Sequence, residues 1–289
     1  MPNSFQESSP YKYKVSVIIP TYKPEDYIYE CFESVCQQSL DGNQFEVIVI
    51  VNGCNEPYTS NIKNYFASKL FPVSVTIQQT DVPGVSNARN MGIECSQGEF
   101  LTFVDDDDII SDNYLEELLK VSNRDCVGCS NSYTFYDDIN VHDNNFLTEA
   151  FNACKGTHFD FYRYRKFLSP PVAKLLHRSI VDKERFPVNL SRSEDSVFCL
   201  KIARNIKDMK VASEACVYYI RKRQGSVTRR GRSLFQEIII LFKIEWAYLK
   251  IWLCHPFSYN LKFVLSRFMA AIKNFFVYCK INRQAKATK

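Results

Sequence analysis

Two runs in this chain leave little choice of environment: Lys14-Val-Ser-Val-Ile-Ile-Pro20 and Phe45-Glu-Val-Ile-Val-Ile-Val51 are almost unbroken stretches of aliphatic residues. Such runs fit strands buried on both faces, as in a parallel sheet covered by helices. Pro20 closes the first because it cannot donate to a central ladder, and Asn52-Gly53 stops the second. Between them Ile28, Phe32 and Val35 recur at helical spacing, so Glu25 to Gln38 is expected to cross back over the sheet. The alternation continues with a helix over Glu56 to Leu70, a strand over Val73 to Gln79, a helix over Val85 to Cys95, and an apolar run from Phe100 to Val104. Short connections of this kind imply right-handed crossovers and a doubly wound, mostly parallel α/β sheet with flanking helices. Tyr22, Asn52 and the residues after Val104 would then emerge along one edge.

The run from Phe100 to Val104 leads directly into Asp105, Asp106, Asp107 and Asp108. In an open α/β sheet, ligands sit beyond the carboxyl ends of the strands, so these mutually repelling charges are placed for a cation and a phosphate ligand. One or two carboxylates plus substrate phosphates suit a hard divalent ion, Mn²⁺ or Mg²⁺. The plainer alternative is a solvated acidic loop in which Asp107 or Asp108 caps the helix over Asp112 to Val121.

The second half is less regular. A strand is expected over Asp125 to Phe135, a polar loop with a short helix over Asp137 to Lys155, and an extended turn at Ser169-Pro170-Pro171 ahead of Val172 to Leu176. Ser193-Glu194-Asp195 opens a further helix, and Val211 to Ile220 reads as a strand. The 11 cysteines are scattered, with Cys126-Val-Gly-Cys129 the one Cys-x-x-Cys pair and no histidine at ligand spacing. Core residues explain them better than zinc does. The polar start from Met1 to Lys14 lacks the apolar centre of a signal peptide, so a reducing, cytoplasmic setting is expected.

Charge divides the chain unevenly. From Arg221 onward there are 15 Lys and Arg against Glu237 and Glu245, or +13, which leaves −9 of the overall +4 for residues 1–220. Ile238 to Leu253 is apolar but broken by charges, and His255-Pro256 ends it. In Tyr259 to Ile281, Lys262, Lys273 and Lys280 share one helical face. A basic, aromatic helix suits an anionic membrane surface, with the protein peripheral at the inner face of the cell membrane. The alternative is a helical pair packed on the body or on a second subunit. The chain thus divides into an extension (1–13), a main domain (14–232, with halves 14–110 and 111–232) and a basic amphipathic helical tail (233–289).

Four segments, taken in order, resemble the family 2 glycosyltransferases of GT-A fold: Val15-Ser-Val-Ile-Ile-Pro-Thr-Tyr22, Gly84-Val-Ser-Asn-Ala-Arg-Asn90 with Gly92, Gly98 through Asp108, and Glu194-Asp195. The resemblance runs from about Lys14 to Arg230. It implies an inverting, metal-dependent transfer of one sugar from a nucleotide-sugar, with a UDP-sugar the first expectation, to a glycan or lipid-linked glycan acceptor in surface polysaccharide synthesis. No nucleic-acid partner is expected.

Carried over position by position, the resemblance assigns nucleotide contacts to Pro20, Thr21, Tyr22, Asn52, Asp105 and Asp106. Arg89 is assigned to a phosphate or, equally, to a salt bridge with the acidic loop. Asp107 would be the direct metal ligand, with Asp105 on the ribose or on a water of the ion. Asp195 would be the base, with Glu194 orienting it or binding the acceptor, and Arg221, Arg223 and Ser226 would reach the diphosphate. One departure stands out. Val51-Asn52 replaces the acidic pair usual after the second strand, and only Asn52 can exchange hydrogen bonds with a base edge. That departure favours a rival reading, a non-catalytic nucleotide-binding partner of a membrane glycosyltransferase complex. A nucleotidyltransferase would need a glycine-rich loop that Pro20-Thr-Tyr-Lys-Pro24 lacks. The Gln-x-x-Arg-Trp signature of processive synthases is absent, which points to single transfers.

Overall fold

A computed structural model describes residues 10–223 and 233–287, with side chains to residue 282. The first half alternates as expected: β1 (Tyr13–Thr21), α1 (Tyr27–Cys36), β2 (Phe45–Asn52), α2 (Tyr58–Ser68), β3 (Ser74–Thr80), α3 (Val85–Cys95) and β4 (Gly98–Phe103). Every residue of β2 is buried. Its two faces meet different partners: Val47, Val49 and Val51 join the core with Ile28, Phe32 and Ile62 of α1 and α2, whereas Ile48 and Ile50 pack with Ala88 of α3. Helices on both sides are what allow a strand to be apolar at every position.

A two-residue strand β5 (Ile109–Ile110) and α4 (Tyr114–Val121) follow the acidic loop. The second half comprises β6 (Cys126–Cys129), β7 (Asn131–Phe135), β8 (His142–Asn144), α5 (Phe146–Cys154), α6 (Phe161–Tyr164), β9 (Lys174–His177), α7 (Arg178–Val181), α8 (Glu194–Ala203), β10 (Asp208–Val211) and β11 (Val217–Arg221). Among the described residues the main sheet has seven strands in the order β10-β6-β9-β4-β1-β2-β3, and a second has four in the order β5-β11-β7-β8. In the main sheet β9 alone runs antiparallel to its neighbours.

Two expected strands divide. The segment Asp125 to Phe135 breaks at Ser130 into β6 and β7, and Val211 to Ile220 resolves into β10 and β11 with a turn between. The breaks are paired, since β6 lies beside β10 in one sheet and β7 beside β11 in the other. Ser130 N–H donates to Ala173 O, and Asn131 N–H to Cys216 O, at the step. Alternation of side chains continues through a change of sheet, so the pattern could not reveal it. The polar stretch Asp137 to Lys155 holds β8 and the nine-residue α5, which Asn145 and Thr148 open with a capping box.

The basic tail forms two helices, α9 (Leu234–Cys254) and α10 (Leu261–Ala287). Glu237 pairs with Asn282 and Tyr248 with Phe268, so the helices run antiparallel. Their inner faces are packed on the body, where Ile244, Tyr248, Phe263, Val264 and Ala271 join its core.

Gly98 opens β4 where it lies against β1. A Cβ there would fall 2.6 Å from Ser16 N and 2.7 Å from the Val15 carbonyl carbon. Backbone cannot retreat cheaply in a close-packed sheet. Gly98→Ala is expected to cost about 1–3 kcal/mol, read as a lower urea midpoint at unchanged m-value. An unaltered midpoint would contradict this packing.

Candidate active site

The strand order places β2 and β3 on one side of β1 and β4 on the other, so the order reverses between β1 and β4. Ligand crevices form at such points, beyond the carboxyl ends of the strands. Val104 N–H donates to Ile18 O at 3.1 Å, which brings the acidic loop alongside the end of β1. There Pro20 and Thr21 are buried while Tyr22 is 51% exposed. Thr21 Oγ1 donates to Asp106 Oδ2 at 2.5 Å. Asn52, expected at a nucleobase edge, is instead buried, and its amide is engaged within the protein. Its Nδ2 donates to Thr21 O at 2.7 Å and its Oδ1 accepts from Gly84 N–H at 2.9 Å. It fastens β1 to the loop ahead of α3.

The four aspartates have four different surroundings. Asp105 N–H donates to the Tyr218 hydroxyl at 3.0 Å. Burial, with Asp107 and Asp105 nearby, pushes the Asp106 carboxyl up to about 7 against the opposing Thr21 hydrogen bond. Asp107 is raised by burial and by Asp105, although Arg223 Nε donates to its Oδ2 at 2.6 Å. Asp108 is buried and raised well above the carboxylate range, chiefly by desolvation, while its Oδ1 accepts from Arg221 N–H at 2.9 Å. Neither Asp107 nor Asp108 caps α4, whose N-cap is Asn113.

The end of β11 supplies the cations that brace this loop. Arg221 Nε donates to Asp107 O at 3.0 Å, its Nη2 to Glu30 Oε2 at 2.7 Å, and the guanidinium lies 4.5 Å from the Phe135 ring centre. Arg223 Nη1 donates to the Tyr27 hydroxyl at 2.8 Å and stacks over the same ring. Ser226 lies outside the described residues. Tyr27 and Glu30 of α1 escaped the sequence reading, because one turn of a helix facing water looks like any polar helix face.

Arg89 joins the halves of the site. Its side chain is 4% exposed, with Nη2 donating to Asp105 Oδ1 at 2.8 Å and Nη1 to Asp195 Oδ1 at 2.5 Å. Of the two partners left open for it, the structure places it on the carboxylates. Burial works against its charge, yet Asp195 and Asp105 more than offset that and hold it protonated. The guanidinium lies 5.4 Å from the centre of the Phe186 ring, which stacks on Phe198 of α8 at 3.8 Å. Asn90, the next residue of α3, exchanges hydrogen bonds with the Phe186 backbone at 3.0 and 2.8 Å. One helix thus fixes both the arginine and the approach to α8. Asp195, beside Glu194 in the first turn of α8, is pushed up to about 7 by burial despite the pull of Arg89.

Sequence reasoning also missed Lys174. It is fully buried, and its ammonium donates to the carbonyls of Pro170 and Val172, setting the Ser169-Pro170-Pro171 turn. Among the described residues, no three His, Cys, Asp or Glu side chains are grouped to hold a metal unaided.

An open sheet with an acidic strand end at its switch point, linked through one arginine to a carboxylate on the opposite half, has the GT-A fold. The crystal structure of TarS 1-349 from Staphylococcus aureus shares that fold, with a TM-score of 0.67 at 20% identity over 89% of this chain and 71% of that one. The same TarS fragment in complex with UDP-GlcNAc gives 0.62 at 21% identity, over 92% and 81%. The glycosyl transferase family 2 model matches residues 16–183, and the chain belongs to that family. In sequence it is 28% identical over 250 residues to the poly(ribitol-phosphate) β-N-acetylglucosaminyltransferase TarS of S. aureus, covering 80% of this chain. It spans 40% of the length of that relative.

Removing Arg89 would leave Asp105 and Asp195 facing each other without a cation. Breaking a buried pair typically costs 3–5 kcal/mol, but these carboxylates are 38% and 29% exposed, so about 2–4 kcal/mol is expected for Arg89→Met. Urea unfolding measures it. A loss no larger than that of an exposed control such as Lys69→Met would remove Arg89 from its structural role.

Proposed function

We propose that this chain transfers one sugar per encounter, with inversion, from a UDP-sugar to a glycan or lipid-linked glycan acceptor, with Asp195 as the base. The observation that carries the reading is the Arg89 bridge, which holds Asp195 across from the acidic strand end at the mouth of the sheet. TarS, a relative named for N-acetylglucosamine transfer to poly(ribitol-phosphate) and solved with UDP-GlcNAc, supports both the uridine donor and the polymeric acceptor. In the proposed step the acceptor O–H gives its proton to Asp195 while its oxygen bonds to the anomeric carbon. The bond from that carbon to phosphate breaks, and its electron pair leaves with the nucleoside diphosphate. A single displacement requires one base, so Glu194 is left to orient the acceptor.

A divalent ion, Mn²⁺ or Mg²⁺, fits the acidic loop on charge. Asp106, Asp107 and Asp108 are all raised, first by burial and then by neighbouring aspartates, Asp105 among them in each case, as expected of negative charge only partly compensated. Asp107, 18% exposed and paired with an arginine that is itself 36% exposed, is the carboxylate best placed to exchange its partner. With so few protein ligands, diphosphate oxygens would complete the shell. Such an ion supplies neutralisation of the departing diphosphate. Arg221 and Arg223 would then turn toward phosphate oxygens, for which a planar guanidinium is suited.

Asp195→Asn should lower kcat by about 10²–10⁴-fold without unfolding the chain. For the unaltered protein, kcat/KM should fall as pH drops through about 7, because the base must be ionised and burial holds its carboxyl there. A flat profile through that window would move the base elsewhere. Asp107→Asn should abolish the extra thermal stabilisation that Mn²⁺ adds to UDP while leaving UDP alone able to stabilise. Equal Mn²⁺-dependent shifts in both proteins would take the ion off Asp107.

A further inference from the structure

The outer side of the α9–α10 pair is as apolar as its inner side. On α9, Phe235, Ile239, Phe242, Trp246 and Leu253 recur at intervals of four, three, four and seven residues, and on α10, Leu265, Met269, Ile272 and Phe276 recur at four, three and four. All are exposed, Phe242 by 70% and Trp246 by 65%. Such spacing confines each set to one stripe of its helix. Ile239, Phe242, Trp246 and Leu249 share a groove with Phe268 of α10, so the stripes form one face. Apolar surface this extensive is not left bare without a partner.

Charge identifies the partner. Lys243 and Lys250 lie beside the α9 stripe and Lys262, Lys273 and Lys280 beside that of α10, all exposed. The helices contain no other acids than Glu237, buried against Arg192 and Asn282, and Glu245 in the groove. Desolvation alone pushes the Glu245 carboxyl up to about 7, which weakens the one acid in the groove. A second copy would bring two lysine-rimmed faces together and is opposed by like charge. Among the described residues no helix is long and apolar enough to cross a membrane.

We propose that this face docks in the plane of an anionic lipid surface, with its aromatic and aliphatic stripes at the acyl boundary and its lysines among the headgroup phosphates. The same helices hold the acceptor side of the site. Tyr248 OH and Ser196 Oγ share a hydrogen bond of 2.6 Å one residue from Asp195, and Arg267 Nη1 donates to Ser169 Oγ at 2.7 Å. Docking would therefore set Asp195 in a fixed relation to the lipid plane, which suits an acceptor carried on lipid.

The full chain should sediment with vesicles of phosphatidylcholine and phosphatidylglycerol, with little on phosphatidylcholine alone, and raised salt should release it. Each Lys→Gln change in the rim should weaken partition roughly fivefold. Trp fluorescence should shift to the blue on binding, and Trp246→Phe should remove most of the shift. The pair Phe242→Ser and Trp246→Ser should abolish vesicle binding while transfer to a soluble acceptor persists, which separates this face from the catalytic reading. Absence of binding, or binding indifferent to that pair, would overturn the proposal. So would a lipid-free dimer that the same pair dissociates, since the face would then belong to a second copy.

Discussion

The site depends on one buried cation held between two carboxylates that belong to different parts of the chain. Asp105 lies just past β4 and Asp195 in the first turn of α8, 90 residues later, and Arg89 touches both. Neither half is therefore independent of the other. An arginine suits this position because its fork can meet two acceptors at once and its charge survives burial, whereas a lysine would be more easily neutralised. Phe186 and Asn90 complete the arrangement, one against the guanidinium and one against the chain that leads into α8.

Much of the first half was legible because local pattern and tertiary role coincide there. β1 and β2 are apolar at nearly every position since both faces are covered, and α3 runs from Val85 to Cys95 as its flanking Gly84 and Gly98 suggest. The second half was less legible for a definite reason. β6 and β7 are consecutive in sequence but lie in different sheets, as do β10 and β11, and side-chain alternation carries no mark of which sheet a strand joins. The same limit applies in the site. The acidic run and Glu194-Asp195 stand out as residue types, but Glu30 and Tyr27, which meet Arg221 and Arg223, are on α1, 191 and 196 residues away. Asn52 shows the converse, for its type suits a base edge while its hydrogen bonds go to Thr21 and Gly84.

Taken apart from any ligand, the acidic loop is a cost to the fold. Asp106 and Asp195 have folded-state values of about 7 against ordinary values of 3.8. Between those limits the folded chain holds protons that the unfolded chain has released, so stability from these groups is greatest below about 4 and declines as pH rises toward 7. Under the proposed function such imbalance is useful, since binding a cation and a diphosphate would relieve repulsion already present. The braces from β11 fit that logic, for each has one partly exposed member, Glu30 of α1 opposite Arg221 and Arg223 opposite Asp107, and the proposed diphosphate would compete for the two arginines.

The distribution of charge extends the argument to the whole chain. The acidic excess lies in residues 1–220, which contain the candidate site, and the basic excess lies beyond, where α9 and α10 turn their lysines outward. If the tail served only to complete the core, its inner residues Ile244, Tyr248, Phe263 and Val264 would suffice, and the opposite faces could be polar at no loss to packing. They are lined with Phe, Trp, Leu, Ile and Met instead. A helix apolar on both sides has two neighbours to satisfy, and the body of this chain is only one of them.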